Sequence, residues 1–76
     1  MGPATHDRRL AAVSHLPHAL AYSLMHATPP KALAIAPRSF LDVTRIAESD
    51  SDLWDDILLT NAVPLLEAMD RFDRSW

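Results

Sequence analysis

Apolar side chains recur every three to four residues along nearly the whole chain. Leu10, Val13, Leu16 or Pro17, Leu20 and Leu24 set the pattern. That spacing places them on one face of a helix. Strand-like alternation is scarce, so the pattern predicts an all-α fold. Gly2 is the single glycine and there is no cysteine. Glycine-rich phosphate loops, disulfides and thiolate metal sites are therefore excluded.

The punctuation predicts about five helices. A long first helix is expected from about Thr5, its N-cap, to Ala27, with residues 1–5 a disordered start and one domain over residues 6–76. Pro17 sits inside it. Proline removes a backbone donor and clashes with the carbonyl four residues back, so a kink or break is expected there. A kink frees carbonyls near Val13 and Ser14. Thr28-Pro29-Pro30 ends the segment and a short helix follows over Lys31 to Ala36. Ser39 can cap a helix carrying Phe40, Val43, Ile46 and Ala47, with Arg45 on the flank of its stripe. Ser49 or Ser51 can start the next, with Leu53, Trp54, Ile57 and Leu58. Thr60-Asn61 is a cap position for the last, about Ala62 to Asp73.

With 76 residues, 49% of them hydrophobic, the chain carries more apolar surface than one small domain hides. A homodimer is the expected outlet. The formal net charge of −3 and the lack of a basic stripe argue against nucleic acid. No apolar run reaches membrane-spanning length, and no signal peptide is seen, so the expected location is cytoplasmic.

Four features could carry chemistry. His15 and His18 in Ser14-His15-Leu16-Pro17-His18 are three apart and share a helix face. Two imidazoles so placed can act as acid and base, or be half-buried packing and capping residues. A metal would need a third ligand from His6, His26 or Asp7, and no recognised spacing supports one. Arg45 can anchor a carboxylate through its two-pronged guanidinium, or pair with Asp42, Glu48 or Asp50. Trp54 can be a core anchor or offer its indole N–H. Asp50, Asp52, Asp55 and Asp56 read as a solvated helix start, because the central glycine of a calcium loop is missing.

Taken together, His6-Asp7, the Ser-His-Leu-Pro-His segment, Phe40-Leu41-Asp42-Val43-Thr44-Arg45-Ile46-Ala47, Ser49-Asp50, Leu53-Trp54-Asp55-Asp56-Ile57 and Asn61, in that order, resemble the C-terminal helical domain of prephenate/arogenate dehydrogenases. The resemblance covers roughly His6 to Phe72. It implies an intertwined homodimer, a substrate pocket and a place in aromatic amino-acid biosynthesis. By the same resemblance, Arg45 grips the substrate carboxylate, His18 lines the pocket with Ser14, His15 and Trp54, and Asp7 reaches the pocket or interface. His15 and His18 are the candidate catalytic groups; Asp7, Ser14, His18, Arg45 and Trp54 are the candidate substrate-binding residues. NAD or NADP would require a Rossmann partner domain, and the chain by itself is expected to hold no cofactor or metal and not to transfer hydride. The chain departs from the family where Pro37-Arg38-Ser39-Phe40 stands in place of a Gly-Gly-Gly-Phe-type loop. Two alternatives follow. One is a stand-alone protein, enzyme or binder, for a cyclic or aromatic carboxylic acid, as in secondary metabolism. The other is a ligand-free helical dimer.

Overall fold

The computed structural model describes residues 2–76 and contains helices and no strands among them. Helix α1 (Pro3–Leu10), a π-helical turn (Ala11–His15) and α2 (Leu16–Ala27) run on as one rod. Then come α3 (Pro30–Leu33), α4 (Arg38–Thr44) with a 3₁₀ turn (Arg45–Glu48), α5 (Ser51–Thr60) and α6 (Ala62–Ser75). Counting the rod once and the 3₁₀ turn with α4, these are the five helical units expected.

The rod starts earlier than expected. Gly2 holds the N-cap position and Pro3 opens the helix. Proline's missing N–H is harmless in a first turn, where that donor would lack a helical partner anyway. Residues 3–5 therefore belong to α1 and Thr5 is not its cap; Met1 lies outside the described residues.

The disturbance expected at Pro17 is a π turn. The Leu16 N–H bonds the Ala11 carbonyl, five residues back. The wider turn takes up the mismatch that the proline ring imposes on the α-helical ladder. Leu16 and Pro17 then open α2 at its first turn. Pro17 thus displaces the irregularity to the residues before it.

Two further caps and the place of Arg45 differ from expectation. Asp50, rather than Ser49 or Ser51, caps α5: its carboxylate accepts from the Asp52 and Leu53 amides at 3.0 and 3.2 Å. A charged acceptor suits a helix N-terminus better than a hydroxyl. At α4 the N-cap position is Pro37, and no side chain caps the helix, so Ser39 does not serve. Arg45 lies in the 3₁₀ turn rather than in the α-helix.

The core is small. Ala11, Ala19, Ala21, Leu65 and Ala68 are its buried apolar residues. The π turn packs on α6, where Ala11 faces a helix carrying Leu65 and Ala68, and small side chains let the backbones approach. On the other side, α2 carries α4 and the 3₁₀ turn. The Tyr22 hydroxyl donates to the Ser49 carbonyl at 2.9 Å and ties that corner to α2. The body is a slab of 45 × 29 × 17 Å. No described helix is long and apolar enough to cross a membrane.

Most large apolar side chains stay outside this core. Val13, Ile35, Leu59, Val63 and Leu66 are each more than 60% exposed. The accessible surface is 5756 Å², where a compact monomer of this mass exposes about 4,600 Å². The radius of gyration is 13.7 Å, against about 11.4 Å for a compact chain of this length.

Candidate functional site

The π turn and the start of α2 carry the Ser-His-Leu-Pro-His segment, and α5 brings Trp54 against it. The Trp54 and His18 rings stack, with centroids 3.4 Å apart and planes 13° apart. His15 meets the same tryptophan edge-on at 6.1 Å and 78°. The His18 contact is face to face with little offset, whereas the edge-on contact of His15 has the T-shaped geometry that aromatic rings favour. Three residues singled out from two separate stretches of sequence thus form one cluster. Ser14 joins it through its backbone: the His18 Nδ1–H donates to the Ser14 carbonyl at 2.9 Å. This is one of the carbonyls expected to be freed near the proline.

His15 is buried. Burial pushes its imidazole below the ordinary pKa, the neighbouring His18 adds to this, and Asp7 opposes it. Its ring is held by Asn61, whose side-chain amide donates to His15 Nδ1 at 3.2 Å and to the Asp7 carbonyl at 2.9 Å. Asp7 therefore connects to the cluster through its backbone. Its carboxylate lies 3.8 Å from His6 Nδ1 near the surface. Asp7, His15, Asp56, Thr60 and Asn61 line a recess of about 300 Å³.

Asn61, which the sequence presents as a cap and as part of the family resemblance, is not among the candidate site residues named from it. Its position between α5 and α6 suggested a cap, yet the side chain makes no capping bond there. It crosses to α1 and the π turn, a contact over 46 and 54 positions of sequence that no local pattern reveals.

Arg45 stands apart from the histidines. It opens onto a separate groove of about 740 Å³, whose apolar wall includes Tyr22, Met25, Leu33, Phe40 and Leu41. Of the acids that could have neutralised Arg45, Asp42 is taken by Arg38, Nε to Oδ1 at 3.1 Å. Arg45 makes no ion pair or hydrogen bond among the described residues, and its guanidinium is available to a ligand. The groove and the histidine cluster lie along one face of the rod, where His15 at the end of the π turn and His18, Tyr22 and His26 on α2 follow at helical spacing.

The cluster and the groove offer an acid–base pair, an aromatic platform and a free guanidinium. No group of three or more His, Asp or Glu among the described residues could hold a metal. The glycine-rich turn between a strand and a helix that commonly holds dinucleotide phosphates has no counterpart among the described residues, where Gly2 is the single glycine.

A helical domain with this much surplus apolar surface falls in the class of interaction domains. The model of one family, the dimerization domain of prephenate dehydrogenase, matches residues 2–76, and this chain belongs to that family. Among relatives, a cyclohexadienyl dehydrogenase of Zymomonas mobilis is 41% identical over 81 residues, covering 95% of this chain and 27% of that protein. A prephenate dehydrogenase of Bacillus subtilis is 39% identical, covering 97% and 22%. The crystal structure of prephenate dehydrogenase from A. aeolicus in complex with hydroxyphenyl propionate and NAD+ superposes with a TM-score of 0.85 at 38% identity, covering 99% of this chain and 28% of that one. The chain thus spans about a quarter of the length of these relatives.

Proposed function

We propose that this chain is the dimerisation and substrate-pocket part of a prephenate dehydrogenase-type activity. The observation that carries the pocket reading is the Trp54–His18–His15 cluster. It joins a flat aromatic surface to two titratable rings on the same helix as the groove bearing an unpaired arginine. The substrate is a cyclohexadienyl or aromatic carboxylate. Arg45 holds the carboxylate through paired N–H···O bonds, a contact that is strong because it is charge-assisted. In this reading the ligand extends from the Arg45 groove along the rod to the cluster, where Ser14, His18 and Trp54 meet its ring; Asp7 lies at the far recess beside His15, and His15 and His18 handle protons. The nicotinamide cofactor sits on a Rossmann domain outside these residues, so hydride transfer requires that domain. A second copy of the chain covers the exposed apolar side chains. Obligate dimer interfaces bury about 2,000 Å² or more, and the surplus surface described above supports such a partner.

The test is calorimetric titration with prephenate and with a hydroxyphenyl propionate, for the chain and for Arg45→Ala. Binding by the chain and a loss of tenfold or more in Arg45→Ala is expected. Equal affinity in both, or no binding by either, counts against the pocket. A second reading, a stand-alone acid-binding protein with non-redox acid–base chemistry, draws on Arg38 in the loop position and on its pairing with Asp42. It predicts a preference for other cyclic acids over prephenate in the same titration.

A further inference from the structure

We propose that Asn61 is a positioning residue: it holds His15 in the tautomer protonated on Nε2, so that His15 and His18 meet a ligand as a matched donor and acceptor. The argument starts from the Asp7 carbonyl. A carbonyl oxygen only accepts hydrogen bonds, so the atom of the Asn61 amide 2.9 Å from it must be the nitrogen. The same nitrogen lies 3.2 Å from His15 Nδ1. Its two hydrogens are thereby assigned, one to each partner. Nδ1 of His15 receives an N–H and must present a lone pair. In a neutral imidazole the proton then resides on Nε2.

His18 is set the opposite way. Its Nδ1 lies 2.9 Å from the Ser14 carbonyl, which can only accept, so Nδ1 carries the proton and Nε2 the lone pair. No buried side-chain nitrogen or oxygen lacks a partner among the described residues. Each Nε2, which has none, is therefore open to solvent or to a ligand. Trp54 fixes both rings by stacking on one and meeting the other edge-on. Two adjacent imidazoles thus offer one N–H and one lone pair, set by an asparagine from the other end of the chain and by a carbonyl beside the π turn. The same Asn61 bond favours neutral His15, because it is made to an unprotonated nitrogen. The charged or titratable groups around His15 are Asp7 on α1, His18 on α2 and Asp56 on α5, which lines the same recess; α6 contributes Asn61 at its start.

The catalytic meaning rests on the pocket reading above, but the tautomers can be measured without a ligand. Two-bond ¹H–¹⁵N correlation spectra of the labelled chain report which ring nitrogen is protonated. His15 is expected with a bare Nδ1 and His18 with a bare Nε2. In Asn61→Ala, His15 should become a mixture of tautomers and its titration midpoint should rise. In Asn61→Asp, the carboxylate should draw the proton to Nδ1 and raise the midpoint further, with His18 keeping its tautomer in both variants. The wild-type spectrum is decisive even where a variant fails to fold: His15 protonated on Nδ1 overturns the proposal. Unchanged tautomer and midpoint in both folded variants overturn it as well. A failure of carboxylate binding with these tautomers intact would sink the pocket reading and leave the positioning role standing.

Discussion

Trp54 lies flat on His18, with ring centroids 3.4 Å apart. The tryptophan comes from the first turn of α5, which Asp50 caps, and the histidine from α2 just after the π turn. A histidine so placed is fixed in its plane, with Nδ1 bonded to the Ser14 carbonyl and Nε2 left at the open edge. Trp54→Ala removes both this stack and the edge contact with His15. Each aromatic pair is worth about 0.5–1.5 kcal/mol. Chemical denaturation should therefore show a loss of at least about 1 kcal/mol, with Trp54→Phe recovering much of it.

The depressed pKa of His15 has a consequence for stability. In the unfolded chain this imidazole binds its proton near the ordinary value of about 6.5; in the folded chain it does so at lower pH, mainly because it is buried. Between the two values the unfolded state binds more protons, so stability rises with pH. The contribution is present above about pH 6.5 and is lost as pH falls through the folded value. Melting temperatures recorded from pH 7.5 down to 5 should fall, and His15→Gln should flatten that part of the profile. An identical slope in the variant would contradict the assignment.

The bond from the Tyr22 hydroxyl to the Ser49 carbonyl joins α2 to the corner that carries Arg45. Tyr22→Phe keeps the ring and removes the bond. A loss of about 1 kcal/mol in stability is expected, together with weaker carboxylate binding although Arg45 is untouched. Hydrogen exchange should show faster opening confined to the 3₁₀ turn and the start of α5. Uniform acceleration would mean that the bond serves general stability only.

The surplus surface predicts the state of association. Light scattering at micromolar concentration should give the mass of two chains. Val63 and Leu66 are 68% and 63% exposed and share a face of α6. If that face meets the second copy, the double substitution Val63→Glu/Leu66→Glu should reduce the mass to that of one chain. A monomeric wild type would refute the dimer.

The all-α class, the short loops and the disturbance at Pro17 were determined by the sequence alone, because helical periodicity and proline chemistry act within a few residues. The family resemblance was legible for a similar reason, in short ordered motifs such as Ser14–His18 and Asp42–Ala47. Local choices between equivalent groups were not. Asp50 won the α5 cap over two serines because a charged oxygen answers the helix dipole better. The proline's effect took the form of a π turn, which lets the ladder slip by one residue instead of breaking.

Only the tertiary structure brought Trp54 to His18, sent Asn61 across to His15 and Asp7, and gave Asp42 to Arg38 so that Arg45 stays unpaired. Contacts across α5, α6 and the rod depend on how helices stack. That is decided by which faces bury together, and a one-dimensional pattern does not carry it. Arg45 shows the limit most directly. Its charge and fork are properties of the residue, but its freedom to meet a carboxylate depends on the Arg38–Asp42 pair one turn earlier in α4.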